Sequence, residues 1–178
     1  MENWILTKEA GNFEQVRKEL TKLGEELFKK ITSYPQEIRG NSKKSTGIQI
    51  VCWVEETRNI IIIPIQQPSD AAKFFSVEKA VRAAANYDFT SQESEDTELF
   101  RFRGSISYEY TSIGCLAVSC SGLTGDEDCL ISTIFLGKIL GKSPKSIIGD
   151  LLKRERKLPE QFSEEDNYLY DLIEEYSK

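Results

Sequence analysis

The sequence of 178 residues contains no histidine. This absence removes the commonest metal ligand, the usual general base near neutral pH and the usual axial ligand of a heme iron. Long apolar runs are lacking too: residues 60–63, resuming at Ile65 after Pro64, are far too few to cross a bilayer. The N-terminus also lacks the charged, apolar and cleavage-site pattern of a secretory leader. We therefore expect a cytoplasmic protein without a membrane partner.

Cysteine is scarce and shows no metal-binding spacing. Cys52, Cys115, Cys120 and Cys129 all lie in segments typical of buried strand or helix, and no two of them form a C-x-x-C knuckle. A buried thiol behaves as a small apolar side chain, and cytosolic thiols stay reduced. We expect four reduced core cysteines, with a disulfide or a redox role as the alternatives.

Basic charge is in deficit, because 23 Lys and Arg residues stand against 29 Asp and Glu residues, a formal net charge of −6. The dense basic tract with interleaved aromatics that marks nucleic-acid binding is missing, so DNA and RNA are not expected partners. The length and the 39% hydrophobic content suit one main core. We place a core domain at 1–142 and, packed on it, a C-terminal helical pair at 143–178 that begins at Ser143-Pro144 and at Ser163.

Apolar spacing predicts the first half of the fold. A first helix stops at Tyr34-Pro35. Residues 47–54 and 59–65 are rich in β-branched side chains and are joined by four polar residues, which predicts a hairpin. Pro68-Ser69-Asp70 then opens a second helix over residues 70–87, whose alanines would let it lie close against a sheet.

The middle of the chain predicts a loop and a second pair of strands. Residues 88–98 are polar and acidic without a period, which favours a solvated loop, with a binding lid as the alternative. Residues 99–110 alternate apolar and polar side chains with a bulge near Gly104, and residues 112–119 form the next strand. The order helix, hairpin, helix, hairpin, helix predicts an α+β fold, an antiparallel sheet of four to five strands with packed helices.

The most informative stretch, residues 113–132, predicts a buried strand that runs through a tight polar turn into a buried helix. Thr124 and Glu127 have capping-box spacing, three consecutive acids fall in the first turn, and Gly141 ends the helix. Loops at the end of a sheet tend to carry function on a rigid support. This corner is therefore the first place to expect a ligand.

Two catalytic patterns at this corner fail on inspection. Ser119, Ser121 and the glycines that follow are similar to a phosphate loop, but Gly125 is followed by acids where such a loop needs lysine. A nucleophilic serine needs an activating base, and without histidine only a lysine or a carboxylate is left. We assign no catalytic residue.

The acids at the corner are candidate metal ligands. Asp126, Glu127 and Asp128 offer carboxylate oxygens of the kind that Ca²⁺ or Mg²⁺ prefers. Consecutive helical residues diverge by about 100° each, so only part of the triplet can face one ion. Capping of the helix is the alternative role.

Basic residues and serines complete the candidate ligand-binding set. Arginine suits a carboxylate or a heme propionate because its guanidinium presents a fork of donors. A solvated face is the alternative for each basic residue alone. The set comprises Lys79, Arg82, Arg101, Arg103, Ser119 and Ser121.

Over about residues 12–140 the chain resembles the GlcG/HbpS-like family of heme-degrading domain proteins. The points of contact are the hairpin at 47–65, the helix segment 76–85, Arg103-Gly104-Ser-Ile, and residues 113–119 followed by acids. The last stretch is similar to the family's Gly-Ala-Ile-Gly-Val-Ser-Gly strand. The resemblance implies a profilin-like sandwich that assembles into dimers or larger rings, with heme, cobalamin or iron bound by some members.

The chain departs from the family pattern at Cys115 and Cys120, where glycine is usual, in lacking histidine and in its C-terminal helical pair. Tyr108, Tyr110 or a cysteine thiolate remain as iron ligands in principle. Cys115 and Cys120 lie an odd number of residues apart along one strand, however, and so face opposite ways. The cofactor, whether heme, cobalamin, a divalent ion or none, stays open.

Three functions follow from these observations. The leading hypothesis is a non-catalytic, homo-oligomeric binding or assembly domain with a small-molecule groove between residues 119–128 and the second helix. One alternative is a heme-degrading or hydrolytic enzyme that uses Ser119, Ser121 or the acids with Lys79 or Arg82. The other is a protein-interaction module whose C-terminal helices dock on a partner.

Overall fold

The computed structural model describes residues 10–40, 44–54, 59–86, 89–110 and 114–178. Its helices are α1 (Ala10–Ser33), α2 (Gln36–Arg39), α3 (Asp70–Asn86), α4 (Gly125–Leu140), α5 (Pro144–Lys153) and α6 (Tyr168–Glu175), with a 3-10 turn at Glu160–Phe162. Its strands are β1 (Gly47–Val54), β2 (Asn59–Gln66), β3 (Ser105–Tyr110) and β4 (Gly114–Ser121). Over the described ranges, no helix is long and apolar enough to span a membrane.

The strands form one antiparallel sheet in the order β2-β1-β4-β3. β1 pairs with β2 on one side and with β4 on the other, and β3 pairs with β4. Both predicted hairpin pairs are present, with α3 in the connection between them. The predicted α+β class, an antiparallel sheet with packed helices, is therefore confirmed.

Helices cover both faces of the sheet. On one face α1 lies against β2 and β1, while α4 lies against β4 and β3, and their side chains share one apolar cluster. On the other face α3 lies against β4, β1 and β3. Ala83 and Ala84 of α3 meet Cys115 and Ala117 of β4 there, so the small side chains do let this helix approach the sheet.

The segment before β3 differs from its prediction. The strand expected over 99–110 begins only at Ser105, because residues 96–101 form a turn in which Asp96 and Arg101 exchange backbone hydrogen bonds. Phe100 sits in the left-handed region with φ 56 and is exposed. Alternating apolar and polar residues are compatible with either arrangement, so the pattern alone could not separate them.

The segment predicted as a solvated loop is largely packed, from its first described residue, Phe89. Phe89, Thr90 and Ser91 are buried. Their backbone runs along the outer edge of β3: the N–H of Ser107 donates to the Phe89 carbonyl at 2.8 Å, and the N–H of Ser91 donates to the Ser105 carbonyl at 3.0 Å. The prediction of a solvated loop is therefore wrong for this part. Asp88 lies outside the described residues.

The C-terminal helices belong to the main core. Ser143 caps α5 as predicted, but α6 is capped by Asn167 rather than by Ser163. The Asn167 side chain also donates to the carbonyl of Gln161 at 2.8 Å, which ties the preceding turn to the helix start. Both helices bury apolar side chains in the cluster that the sheet and α4 share: Ile147, Ile148, Leu151, Leu169, Leu172 and Ile173.

Candidate functional site

The turn between β4 and α4 is fixed by the capping that the sequence predicts. Thr124 Oγ1 accepts the backbone N–H of Glu127 at 3.3 Å, and Glu127 Oε2 accepts the N–H of Thr124 at 3.0 Å. Asp128 Oδ1 accepts the N–H of Leu123 at 3.1 Å. Because these bonds satisfy donors that a helix start otherwise leaves unpaired, they hold the corner in one geometry.

Asp128 and Lys79 form a buried ion pair at this corner. Lys79 Nζ donates to Asp128 Oδ2 at 3.1 Å and to the Cys120 carbonyl at 3.0 Å, and both charged residues are only 2% exposed. Burial raises the pKa of Asp128, and the lysine opposes that shift with a smaller effect. The pair ties α3 to α4, and its attraction must offset the cost of desolvating two charges.

Glu127, although next in sequence, faces a different cation. Arg39 donates to it through Nε at 2.6 Å and through Nη2 at 3.1 Å, and the Tyr168 hydroxyl donates at 2.9 Å. The Glu127 side chain is fully buried. This network joins α2 and α6 to the first turn of α4, which is a structural role.

Asp126 faces a third cation. Arg103 Nε lies 3.0 Å from Asp126 Oδ1 and 4.0 Å from Glu95 Oε1. Burial is the largest influence on the Asp126 pKa and raises it, Arg103 lowers it, and the nearby Glu95 carboxylate raises it further. Two carboxylates therefore share one guanidinium.

The three acids thus diverge instead of sharing one ion. Each of Asp126, Glu127 and Asp128 is paired with a cation from a different part of the chain. Among the residues described, no three His, Cys, Asp or Glu side chains are grouped so that they could hold a metal ion. The geometry does not support the predicted metal site at this triplet, and helix capping with ion pairing accounts for the acids.

Two glycines allow the charged groups to approach the backbone. A Cβ built on Gly104, where φ is +129, would lie 2.7 Å from Lys79 Nζ and 2.7 Å from Asp128 Cβ. A Cβ on Gly125 would lie 2.6 Å from Arg103 Cγ. Both positions need glycine because a larger side chain would displace a charged partner.

A cleft of about 380 Å³, which we call the corner cleft, opens beside these groups. One wall is apolar, since the rings of Phe75 and Phe102 meet edge to face with centroids 4.9 Å apart. The other wall is charged. The side chains that line the cleft include Phe75, Lys79, Glu95, Phe102, Arg103, Ser121, Leu123 and Asp128.

The corner cleft gathers part of the predicted site. Lys79, Arg103, Ser121 and Asp128 line it. The other predicted residues do not line the cleft. Asp126 is paired with Arg103, and Glu127 is paired with Arg39. The remaining three are Arg82, Arg101 and Ser119.

Arg82 holds the segment before β3 against α3. Its Nη1 donates to the Ser91 carbonyl at 3.2 Å and its Nη2 to the Phe102 carbonyl at 2.8 Å, while its Nε donates to Glu78 at 2.6 Å. The guanidinium is thus engaged in binding the protein's own backbone. The prediction that Arg82 binds a ligand is not supported by this geometry.

Ser119 and Arg101 also lie apart from the cleft. The Ser119 hydroxyl is buried and donates to the Ser76 carbonyl, so its proton is committed to α3. Arg101 is exposed at the turn with Asp96. Neither residue lines the corner cleft.

Heme does not fit the side chains that the resemblance offered for iron. Burial raises the pKa of Cys120 and of Cys129, the latter to about 12, so neither thiol readily becomes a thiolate. All four cysteines are buried, reduced thiols, as predicted. The Tyr108 hydroxyl donates to Asp150 at 3.0 Å and accepts from Lys142 at 2.7 Å. The Tyr110 side chain lies outside the described residues.

Sequence reasoning missed several residues of this region. Phe75 and Lys79 are spaced one helical turn apart, a signal that could have placed the aromatic beside the charge. Glu95 lies in a segment without periodicity, and Arg39 meets Glu127 across 88 positions of sequence, so no local pattern could have found either. Phe102 lies in the first half of the strand predicted over 99–110, and that half is not part of β3, which begins at Ser105.

Comparison of the chain with protein-family models, with curated proteins and with solved structures finds no match. The resemblance to the GlcG/HbpS-like family therefore stays a prediction from the residues.

Proposed function

We propose that this chain is a non-catalytic cytoplasmic domain that binds a small organic molecule in the corner cleft and assembles as a homo-oligomer. One observation carries the binding role: Lys79 from α3, Arg103 from the segment before β3, and Ser121 and Asp128 from the β4–α4 corner converge on one cleft with an aromatic wall. Its volume of about 380 Å³ lies in the range of small-molecule sites, which combine apolar walls with a few fixed polar groups.

The charges around the cleft favour a neutral or cationic ligand. Lys79 and Arg103 stand against Asp128, Glu95 and Asp126, two cations against three carboxylates. An anion would have to compete with carboxylates that already occupy both cations. An amine could instead donate to Glu95 while its apolar part lies against the Phe75 and Phe102 rings.

Size and ligation argue against the cofactors that the resemblance implies. A cleft of about 380 Å³ is too small to enclose cobalamin. Heme would lack a histidine, and the tyrosine and thiols described above are otherwise engaged or protonated. A compact aromatic amine fits the walls better than either.

A catalytic role has less support. The Ser119 hydroxyl donates to a backbone carbonyl, and Lys79, the lysine that lines the cleft with Ser121, is paired with Asp128. A nucleophile needs a base that can accept its proton. The C-terminal helices likewise give little support to a separate interaction module, because their apolar side chains fill the protein's own core.

Native mass spectrometry of the purified protein tests for a retained molecule, and thermal-shift titration tests the ligand class. We expect tryptamine and benzylamine to raise the melting temperature, and benzoate to leave it unchanged. Glu95→Gln should weaken amine binding about tenfold because it removes a charged acceptor. Glu98→Gln is the matched control, since it makes the same change on an exposed residue outside the cleft.

Two outcomes would overturn the binding role. The first is a protein that retains no molecule and gains no stability with any of these probes. The second is amine binding that Glu95→Gln and Glu98→Gln affect equally, which would place the amine outside the corner cleft.

A further inference from the structure

The two edges of the sheet differ in their hydrogen bonding. The outer edge of β3 is paired by residues 89–91, through hydrogen bonds that include the one from the Ser107 N–H to the Phe89 carbonyl. At the opposite edge, the strands of the described chain pair β2 only with β1. An unpaired edge strand presents a row of N–H and C=O groups to another chain.

The central side chains of β2 are apolar on both faces of the sheet, although among the described elements a helix packs closely on only one of these faces of β2. Ile61, Ile63 and Ile65 are buried on the face that α1 packs against. Ile60 and Ile62 point to the α3 side, where they are 38% and 39% exposed. Because α3 lies over β1, β4 and β3, the α3-side face of β2 remains a partly exposed apolar strip within the part of the chain that the structure describes.

The strip continues onto the neighbouring strand and carries no charge. Trp53 of β1, the register partner of Ile60, is half-buried. β2 has the sequence NIIIIPIQ, without a charged side chain, in a chain that is 29% charged. Lysine or other charged residues on an exposed edge strand normally prevent it from pairing with another chain. Within β2, Pro64 is the one residue of a type that hinders such pairing.

We propose that β2 is the homodimer interface of this protein, with β2 of a second copy lying antiparallel against it. A two-fold axis at Ile62 places Ile62 of one copy opposite Ile62 of the other, and Ile60 opposite Pro64, so the apolar side chains of the two β2 strands pack side by side across the interface. Pro64 lacks an N–H and weakens backbone pairing at its own position, so the apolar contact carries much of the association. This inference rests on the homo-oligomer of the proposed function.

Self-complementarity favours a second copy over a foreign segment. Each chain carries a net charge of −6, yet two β2 strands meet without like charges in contact. A partner strand with charged residues would have to desolvate them against isoleucine. The joined sheet would have eight strands, four from each copy, which is an ordinary size.

Sedimentation velocity across a concentration series tests the interface. We expect a wild-type dimer and an increase of at least about 100-fold in the dissociation constant for Ile62→Lys, because the two-fold axis brings the two lysines together. Leu152→Lys is the matched control, since Leu152 is half-exposed on α5, away from β2. Circular dichroism melting checks that each variant folds.

A second variant tests the position of the axis. Ile62→Cys should form a disulfide-linked dimer under mild oxidation, and Leu152→Cys should not. A wild-type protein that is monomeric throughout, or a dimer that Ile62→Lys leaves intact, would overturn the interface. Retention of the corner-cleft ligand by monomeric Ile62→Lys would show that binding is independent, so the two proposals can fail separately.

Discussion

The buried pair of Lys79 and Asp128 makes the sharpest stability prediction. In Lys79→Met the methionine fills similar space, but the Asp128 carboxylate is left 2% exposed without its cation. Breaking a buried pair by removing one partner costs about 3–5 kcal/mol. For a chain of this length each kcal/mol shifts the melting temperature by about 2–4 °C, so we expect a fall of about 6–20 °C.

The double variant separates the pair from its surroundings. In Lys79→Met with Asp128→Asn the buried charge is gone, and the asparagine oxygen can still accept the N–H of Leu123 that now bonds Asp128 Oδ1 at 3.1 Å. We therefore expect the double variant to recover most of the lost stability. Urea unfolding followed by circular dichroism gives the free energies for the full cycle.

The pH dependence supplies a second readout. Burial already raises the Asp128 pKa above its ordinary 3.8, and loss of Lys79 should raise it further. Because the folded state then binds the proton more tightly than the unfolded state, the variant is most stable below the unfolded pKa and loses stability as pH rises through the folded value. The penalty of Lys79→Met should thus shrink at acid pH. A cost under about 1 kcal/mol at neutral pH, or a double variant no better than the single one, would refute a buried charged pair.

Three further predictions concern Gly104, Asp126 and two buried cysteines. Gly104→Ala should destabilise the protein by about 1–3 kcal/mol, because φ is +129 and the new Cβ would lie 2.7 Å from Lys79 Nζ; an unchanged urea midpoint would contradict the close approach. Burial raises the Asp126 pKa above 3.8, so the folded state favours the protonated form, and the unfolding free energy of the wild type should fall as pH rises above that value. Asp126→Asn removes the titrating group, so the variant should show a smaller fall. Parallel wild-type and variant pH curves would contradict this. Cys52 and Cys129, whose pKa burial raises to about 12, should react with a thiol reagent only after unfolding; fast labelling of the native protein would mean that the core is open.

Local signals were enough at both ends of α4. The start of α4 follows from Thr124 and Glu127, because a capping box involves only residues three positions apart. The end of α4 at Gly141 follows from the left-handed conformation there, with φ 64. Hairpin and helix patterns likewise predicted both strand pairs and α3. The α+β class follows from their order.

Alternation and composition did not reveal the structure of residues 89–104. Residues 99–104 have the alternation of a strand, yet the Asp96 to Arg101 backbone pair turns them. Residues 89–91 have the composition of a solvated loop, yet Arg82 and the β3 edge bury them. In both cases the deciding bonds are made with residues that no periodic pattern marks.

The three acids in the first turn of α4 both stabilise the fold and lie close to the cleft. Asp126 pairs with Arg103, Glu127 with Arg39 and Asp128 with Lys79. The first turn of α4 is thereby connected to three separate parts of the chain. Apolar residues could have joined these elements at equal or lower cost, because buried ion pairs seldom add net stability. The Glu127 side chain is fully buried and paired with Arg39, so its charge has a structural role. Lys79 and Asp128 are almost as buried, at 2% exposure each, so the charged groups of the cleft that a ligand can reach are Arg103 and Glu95, whose side chains are 34% and 27% exposed. The Glu127 network is thus the internal comparison for the site: a variant at Glu127 should change stability alone, whereas a variant at Glu95 on the cleft wall should change amine binding with little effect on folding.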